Sequence, residues 1–276
     1  MKRRILVTGA NGFVGRHIVS ELAQGDTELV LVVRSGSVVE SSLNVRDVRI
    51  LETADLFTED ERWWVAATTG VDTFVHAAWY TNPRDYMNSQ QNQHCERGTI
   101  KIAEALRNSG VRRFVGLGTC LEYHQTGEIL TTETEIRPES PYAKAKATTY
   151  LELSRLFHEA NIEFAWCRLF YIHGPGEHES RLVPYLRREF ANGRVARLAN
   201  PNQVLDFLDV REVAKKVVQV VLGSESGALN VCSGVGTSVA DLSLRVAEEY
   251  GRSDLVDYTG AGTVSVGLPI IGRPSL

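Results

Sequence analysis

Tyr142 and Lys146 stand four residues apart behind Ser140-Pro141, a capping side chain followed by the residue best suited to a first helical turn. On a helix the two share a face. A phenol with a pKa near ~10 is a poor acid or base at neutral pH until a nearby ammonium stabilises its phenolate, and Lys146 supplies that charge. Thr119, at the end of the apolar run that begins at Arg113, adds a hydroxyl able to hydrogen-bond an oxygen whose charge is changing. Lys144 is off this register and belongs with the solvated residues. Far upstream, Gly9-Ala10-Asn11-Gly12-Phe13-Val14-Gly15 follows the short apolar run Ile5-Leu6-Val7. A glycine-rich turn between a strand and a helix is a cradle for phosphate. Together these residues describe a dinucleotide site, a polarising hydroxyl and a tyrosine acid/base. That is an apparatus for moving hydride to or from a carbon that bears oxygen.

Each glycine of the triplet has its own expected task. Gly9 turns the chain sharply out of the strand, Gly12 lets backbone approach a pyrophosphate, and Gly15 lets the following helix pack close to the sheet. Asn11, Phe13 and Val14 complete the loop and first turn, whose amino end faces the anion. The second strand ends in Val33-Arg34-Ser35-Gly36-Ser37. An acidic residue at such a place holds the ribose hydroxyls of NAD, whereas Arg34 and Ser35 suit a 2′-phosphate. NADPH is therefore the expected cofactor, with NAD(H) as the alternative. Asp55-Leu56, after the third strand, is placed to meet the edge and face of an adenine.

The elements that must position these residues follow a βαβ rhythm. Short β-branched runs at Ile5–Thr8, Leu29–Val33, Asp47–Leu51, Thr73–His76, Arg113–Leu117 and Phe164–Leu169 alternate with helical patterns at 13–24, 86–109 and 141–159. Runs apolar on both faces fit a parallel sheet covered by helices on each side, so the expected fold is α/β, a doubly wound (Rossmann) sheet with a smaller carboxy-terminal substrate lobe. The expected boundaries are 1–170 for the dinucleotide domain, joined by about 207–233, with 171–206 and 234–276 forming the lobe. Beyond Phe170, helices near 181–193 and 210–222 and strands near 204–208 and 229–232 are expected, and no regular element over 259–276.

With 276 residues, 43% hydrophobic and 23% charged, the composition is that of a globular chain. A net charge of −4 without a basic run gives no footprint for nucleic acid, and no apolar stretch reaches membrane-spanning length. Met1-Lys2-Arg3-Arg4 leads into too short an apolar run for a signal peptide, so a cytoplasmic location is expected. Cys95, Cys120, Cys167 and Cys232 lack paired spacing for zinc or thiol exchange; reduced, buried thiols and no metal are expected.

At these residues the chain resembles the extended short-chain dehydrogenase/reductases, the NAD-dependent epimerase/dehydratase family, which acts mainly on nucleotide sugars. The motifs that carry the resemblance span nearly the whole chain. They include the Gly9–Gly15 loop, His76-Ala77-Ala78, Gly98-Thr99, Gly110–Val115, Thr119 with Tyr123, Tyr142/Lys146, Arg168-Leu169-Phe170, Gly174–Glu177, Asp206-Phe207 and Asn230–Gly234. The resemblance implies that Ala77 and Ala78 line the cofactor, that Phe170 lies by the nicotinamide, and that Tyr171, Arg181 and Leu182 meet the substrate, Arg181 at its diphosphate. It also implies a homodimer built on the helices at 86–109 and 141–159. His173 and His178, in the loop after the sixth strand, are further candidates to touch substrate.

Departures narrow the reaction. Thr119-Cys120-Leu121 stands where 4,6-dehydratases of the family carry Thr-Asp-Glu, so the acid and base for eliminating water are missing, and Glu122 falls one residue late, on the other face of a strand end. Cys95 takes the place of a frequent active-site Asn, Tyr171 of a substrate-binding Asn, and Leu205 of an Arg that grips the diphosphate. Gly118–Tyr123 and His76–Pro83 resemble segments of reductases that convert a dTDP- or CDP-4-keto-6-deoxyhexose into its 4-hydroxy sugar. The expectation is NADPH-dependent 4-ketoreduction with Tyr142 as acid. The alternatives are a 4-epimerase with resident NAD and a non-catalytic NAD(P) sensor. Relatives continue beyond a segment like Gly272-Arg273-Pro274 with a strand and helix, so a truncated lobe, loosely held around Arg273, is also expected.

Overall fold

Seven parallel strands carry the site, and their order explains where it lies. The computed structural model describes residues 2–37, 48–258 and 267–276. Its first half runs β1 (Arg3–Thr8), α1 (Phe13–Leu22), β2 (Thr27–Arg34), β3 (Val48–Thr53), α2 (Glu61–Ala67), β4 (Thr73–His76), α3 (Gln91–Leu106), β5 (Arg113–Thr119), β6 (Ile129–Leu130), α4 (Pro141–Ala160) and β7 (Glu163–Leu169). The second half follows with β8 (Tyr171–His173), α5 (Leu182–Ala191), β9 (Ala196–Arg197), β10 (Val204–Asp209), α6 (Val210–Leu222), β11 (Gly227–Val231), β12 (Gly236–Ser238), α7 (Val239–Glu248), β13 (Val256–Asp257) and β14 (Ile271–Gly272). The large sheet has the order β11-β7-β5-β4-β1-β2-β3. Every pair in it is parallel, so this is the doubly wound Rossmann sheet. The order reverses between β1 and β4, and a ligand of such a sheet binds outside the carboxyl ends of the strands at that switch.

Strands buried on both faces need cover on both faces. One layer is α1 and α6, whose Ile18, Val19, Val213, Val217 and Val221 pack on Ile5, Val7, Leu29 and Leu31. The other is α2, α3 and α4, where Trp64, Ile102, Leu106, Leu153 and Phe157 meet Leu6, Val30, Phe74 and Phe114. Helix α4 begins as the sequence implies: Ser140 accepts a hydrogen bond from the Ala143 N–H, and Pro141 fills the first turn. It ends at Asn161, whose left-handed φ of 53° closes the helix.

The smaller lobe has its own core. Val183, Leu186 and Phe190 of α5 pack on Leu242 and Val246 of α7, with Leu255 beside them. Strand β10 pairs with β8 and β12 in a three-stranded sheet. The sequence reading omits α2 and α7, and it starts the third helix at 86, whereas residues 82–88 form turns and α3 starts at Gln91.

The expectation of a loosely held Arg273 segment is not met. β14 pairs with β6, and the Arg273 N–H donates to the Leu130 carbonyl at 2.8 Å. Ser275 Oγ accepts from the Asn230 N–H, and Lys216 Nζ donates to the Leu276 carbonyl. Asp206, fully buried, accepts from the N–H groups of Ser233, Gly234 and Gly272 and from the Ser233 hydroxyl, which fastens this segment to the lobe. Of the stretch expected to lack regular structure, 259–266 lies outside the described residues.

Candidate active site

The Gly9–Gly15 loop lies at the switch between β1 and β4. Gly9 has a φ of +69°, and a Cβ there would sit 2.7 Å from the Ala78 nitrogen and 2.8 Å from the Ala77 carbonyl carbon, so only glycine lets the turn lie against the Ala77-Ala78 backbone. A Cβ on Gly15 would overlap the Gly9 carbonyl oxygen, and one on Gly12 would lie 3.1 Å from the same atom. The Gly12 N–H donates to that oxygen at 2.9 Å, which closes the turn. Helix α1 has Gly12 as its cap and no side-chain cap hydrogen bond, leaving its amino end to a ligand. Asn11 Nδ2 is buried without a hydrogen-bond partner among the described residues. A glycine cradle, an uncapped helix and an orphaned donor fit a dinucleotide pyrophosphate. Phe13 and Val14 form the first turn, and Val14 packs against the sheet core.

At the end of β2, Arg34 is exposed and Ser35 to Ser37 form a turn, with the Ser37 N–H donating to the Arg34 carbonyl. Glu52 on the neighbouring β3 accepts from the Gly36 N–H at 3.3 Å, so a cation and an anion both border the place where an adenosine ribose would lie. Asp55 is already engaged: one oxygen accepts from the Phe57 N–H and the other meets His94 at 2.7 Å. Leu56 packs partly into the core under α2 and α3.

The ends of β5 and α4 bring Thr119, Tyr142 and Lys146 together. Burial pushes the Tyr142 phenol well above its ordinary range; Tyr86, Glu122 and Cys120 push the same way, and contact with the Thr119 side chain opposes them. The ring meets Tyr86 edge-on at 5.1 Å. Lys146, buried, donates to the Leu117 carbonyl at 2.6 Å. Burial lowers its pKa to about 7, against Glu122 and Cys95, which raise it. His76 sits beneath, bonded to Thr8 and Thr99 hydroxyls at 2.9 and 3.0 Å, and burial with the Lys146 charge drops its pKa to about 3. It is a neutral strut joining β1, β4 and α3.

Sequence reasoning places Glu122 on the far face of a strand end; it lies instead in the turn after β5, near enough to Tyr142 and Lys146 to act on both, and is held there by other partners. The carboxylate has no exposure and accepts from the Thr119 N–H at 2.8 Å, the Trp166 indole at 3.0 Å and Arg168 Nε at 2.7 Å. Arg168 continues to the Tyr123 hydroxyl, and Tyr123 to Asn230. Gly116 and Gly118 make room: a Cβ on either would run into Trp166. Glu122 is thus a structural ion-pair member that fixes the strand end bearing Thr119.

The substrate candidates divide. Arg181 caps α5 and lies over the Tyr86 ring at 5.0 Å, so Arg181, Tyr86 and Tyr142 form one row across the two lobes. Tyr171 packs on Phe207, with burial raising its hydroxyl pKa. Leu182 turns into the lobe core, and His178 bonds Ser180. Phe170 is buried among Cys120, Tyr123, Leu130 and Cys232, and a Cβ on Gly272 would strike the end of its ring. Its side chain therefore faces the Gly272 segment. All four cysteines are free and buried. Tyr86 and Trp79, with Asn92 behind them, lie beside the Tyr142/Lys146 pair and are missed by sequence reasoning; a tryptophan and a tyrosine between the His76-Ala77-Ala78 motif and α3 are the signal that could have marked them.

A model of the NAD dependent epimerase/dehydratase family matches residues 5–232. The chain is 23% identical to a dTDP-6-deoxy-L-talose 4-dehydrogenase (NAD(+)) of Aggregatibacter actinomycetemcomitans, across 89% of this chain and 93% of the relative. It is 27% identical to a GDP-6-deoxy-D-mannose reductase of Pseudomonas aeruginosa, across 88% and 78% of the two chains. Among solved structures, a UDP-N-acetylglucosamine 4-epimerase from Methanobrevibacter ruminantium M1, in complex with UDP-N-acetylmuramic acid, superposes with a TM-score of 0.88 at 21% identity. The match covers 100% of this chain and 91% of that one. No helix among the described residues is long and apolar enough to cross a membrane.

Proposed function

The chain belongs to the NAD-dependent epimerase/dehydratase family, and from that premise we propose that it reduces the C4 keto group of a nucleotide-activated (dTDP or CDP) 4-keto-6-deoxyhexose with NADPH. The observation that carries the reading is the convergence of Thr119, Tyr142 and Lys146 at the ends of β5 and α4, with burial favouring the protonated phenol. Reduction needs an acid at the substrate oxygen. The Thr119 hydroxyl donates to the keto oxygen, and the Tyr142 proton passes to that oxygen as negative charge develops on it. Lys146 stabilises the phenolate left behind and holds the nicotinamide ribose. The dihydronicotinamide, when bound, supplies the hydride. Gly9, Asn11, Gly12 and Gly15 would hold its pyrophosphate, and Arg34 and Ser35 the adenosine 2′-phosphate. Arg181, beside Tyr86 at the mouth between the lobes, would meet the substrate diphosphate. Dehydration is disfavoured because Glu122, the carboxylate nearest Thr119 in the chain, is locked to Arg168 and Trp166.

A second reading, a 4-epimerase that retains NAD, has Glu52 beside the Gly36 turn in its favour. NADPH and NADH oxidation, followed by absorbance with dTDP- and CDP-4-keto-6-deoxyglucose generated in situ, separates the two. Ketoreduction predicts NADPH consumption that falls at least about a hundredfold in Tyr142→Phe, with the 4-hydroxy sugar as product. NAD that co-purifies with the protein, without net oxidation of either reduced dinucleotide, would support the epimerase instead. We place the enzyme in the cytoplasm as a homodimer seated on α3 and α4, for which a sedimentation measurement is the check.

A further inference from the structure

One loop grips both members of the Tyr142/Lys146 pair. Trp79 follows β4 by three residues, and Lys146 Nζ stands 3.7 Å from the centroid of its ring. The indole is fixed from behind, its N–H donating to Asn92 Oδ1 at 3.0 Å. Asn92, itself 1% exposed, donates to the Tyr86 carbonyl at 2.6 Å and the Ser89 carbonyl at 3.0 Å. Tyr86 meets the Tyr142 ring, and the Met87 carbonyl accepts the Tyr142 backbone N–H at 3.1 Å. Segment 79–92 therefore touches the ammonium through Trp79 and the phenol through Tyr86. Asn92, bonded at both its oxygen and its nitrogen, ties the two together.

A ring face attracts a lysine only while it is an ammonium, so this contact favours the charged form. The groups that face Lys146 are few. They are Glu122 from the turn after β5, Cys95 from α3, His76 from β4, Trp166 from β7 and Tyr142 from its own helix. The Cys95 thiol is pushed up to about 11 and His76 down to about 3, so both are neutral at pH 7. Glu122, the carboxylate among them, is committed to Arg168. Burial drives the Lys146 pKa down and Glu122 and Cys95 oppose it, leaving it at about 7, where a modest further stabilisation decides its charge at neutral pH.

We propose that Trp79, fixed by Asn92, is the positioning residue that holds Lys146 as an ammonium where the dinucleotide ribose and Tyr142 require it. The inference rests on the dinucleotide reading of the site and is independent of which sugar is reduced.

Its test is the pH dependence of NADPH and NADH binding, followed by the fluorescence of the dihydronicotinamide, in wild type, Trp79→Phe, Trp79→Leu and Lys146→Met. Wild type should lose affinity in one alkaline step that Lys146→Met lacks. Trp79→Leu should move that step down by about 0.5–1 pH unit and weaken binding roughly threefold to tenfold on its shoulder, while Trp79→Phe restores most of the shift. If Trp79→Leu does not fold, Trp79→Met carries the same comparison. A step at the wild-type pH in the ring-less variant, with or without a uniform loss of affinity, would overturn the inference and leave Trp79 a packing residue. A Phe variant shifted as far as Leu would overturn it by assigning the effect to the indole N–H. Failure of wild type to bind either dinucleotide would overturn the reading of the site and the inference with it.

Discussion

The carboxyl end of β1 and the carboxyl end of β5 face the same cleft and are built on opposite plans. At β1 the chain withholds side chains: Gly9 and Gly12 shape a bare backbone turn, Gly15 lets α1 pack against it, α1 is left uncapped, and Asn11 Nδ2 is a buried donor without a partner among the described residues. At β5 most of the polar groups are taken up by one another, Arg168 Nη2 being the exception. Thr119, Glu122, Trp166, Arg168, Tyr123 and Asn230 form one connected hydrogen-bonded network. On the proposed reading the first end receives an anion at the uncapped start of α1, and the second holds a few reacting atoms still. A binding site gains from unsatisfied donors, and a catalytic site gains from satisfied ones, because each bond within the network removes a way for Thr119 to move.

Breaking the network at β5 should cost the fold most. Glu122→Gln leaves Arg168 buried without a counter-charge, and chemical denaturation should show a loss of about 3–5 kcal/mol. Glu159→Gln, which opens the exposed pair with Arg155, should lose less than about 0.5 kcal/mol. Equal effects of the two would contradict the view that β5 is held by its buried network. At β1 the damage should fall on binding and spare the fold's sheet. Gly15→Ala sets a methyl against the Gly9 carbonyl and should weaken NADPH binding by roughly tenfold to a hundredfold, read by fluorescence titration.

His76 sits on β4, between the two ends, bonded to β1 and α3, and its effect depends on pH. Its pKa is about 3 in the fold and near ~6.5 in the unfolded chain, so below ~6.5 the unfolded state binds the extra proton and stability is lost as pH falls. Between about pH 6.5 and pH 5 this term amounts to about 1.5 kcal/mol. Urea unfolding at the two pH values should show a correspondingly smaller change in His76→Gln. The smallest effect is expected at the rim of β2, where Arg34→Ala should reduce the preference for NADPH over NADH by about tenfold while leaving NADH binding nearly unchanged.

The same contrast explains what the sequence discloses. The β1 end is local: its glycines act within a few residues and their spacing alone marks them, as it marks Arg34 at the end of β2 and the start of α4 at Ser140-Pro141. The alternating βαβ pattern likewise predicts six of the seven strands of the large sheet from Ile5–Thr8 through Phe164–Leu169, and the seventh as a strand near 229–232. The β5 end is not local. Glu122 meets Trp166 and Arg168 across more than forty residues, and Tyr123 meets Asn230 across 107, so no window of sequence contains the network. Trp79, Tyr86 and Asn92 escape for a related reason, since an aromatic in a turn says nothing of the lysine it covers until α4 is laid beside it. Helix α7 is amphipathic and capped by Ser238, and its omission from the sequence reading is a missed local signal.

The claim that joins the two ends is that hydride delivered over the β1 loop is matched by a proton from Tyr142. Its most direct test is product analysis after turnover of a nucleoside-diphosphate 4-keto-6-deoxyhexose with NADPH deuterated at the nicotinamide C4, each face in a separate run. Ketoreduction predicts one deuterium at the sugar C4 per NADPH oxidised, from one face only, and none with Tyr142→Phe. A product without deuterium, formed without consumption of NADPH, would contradict it.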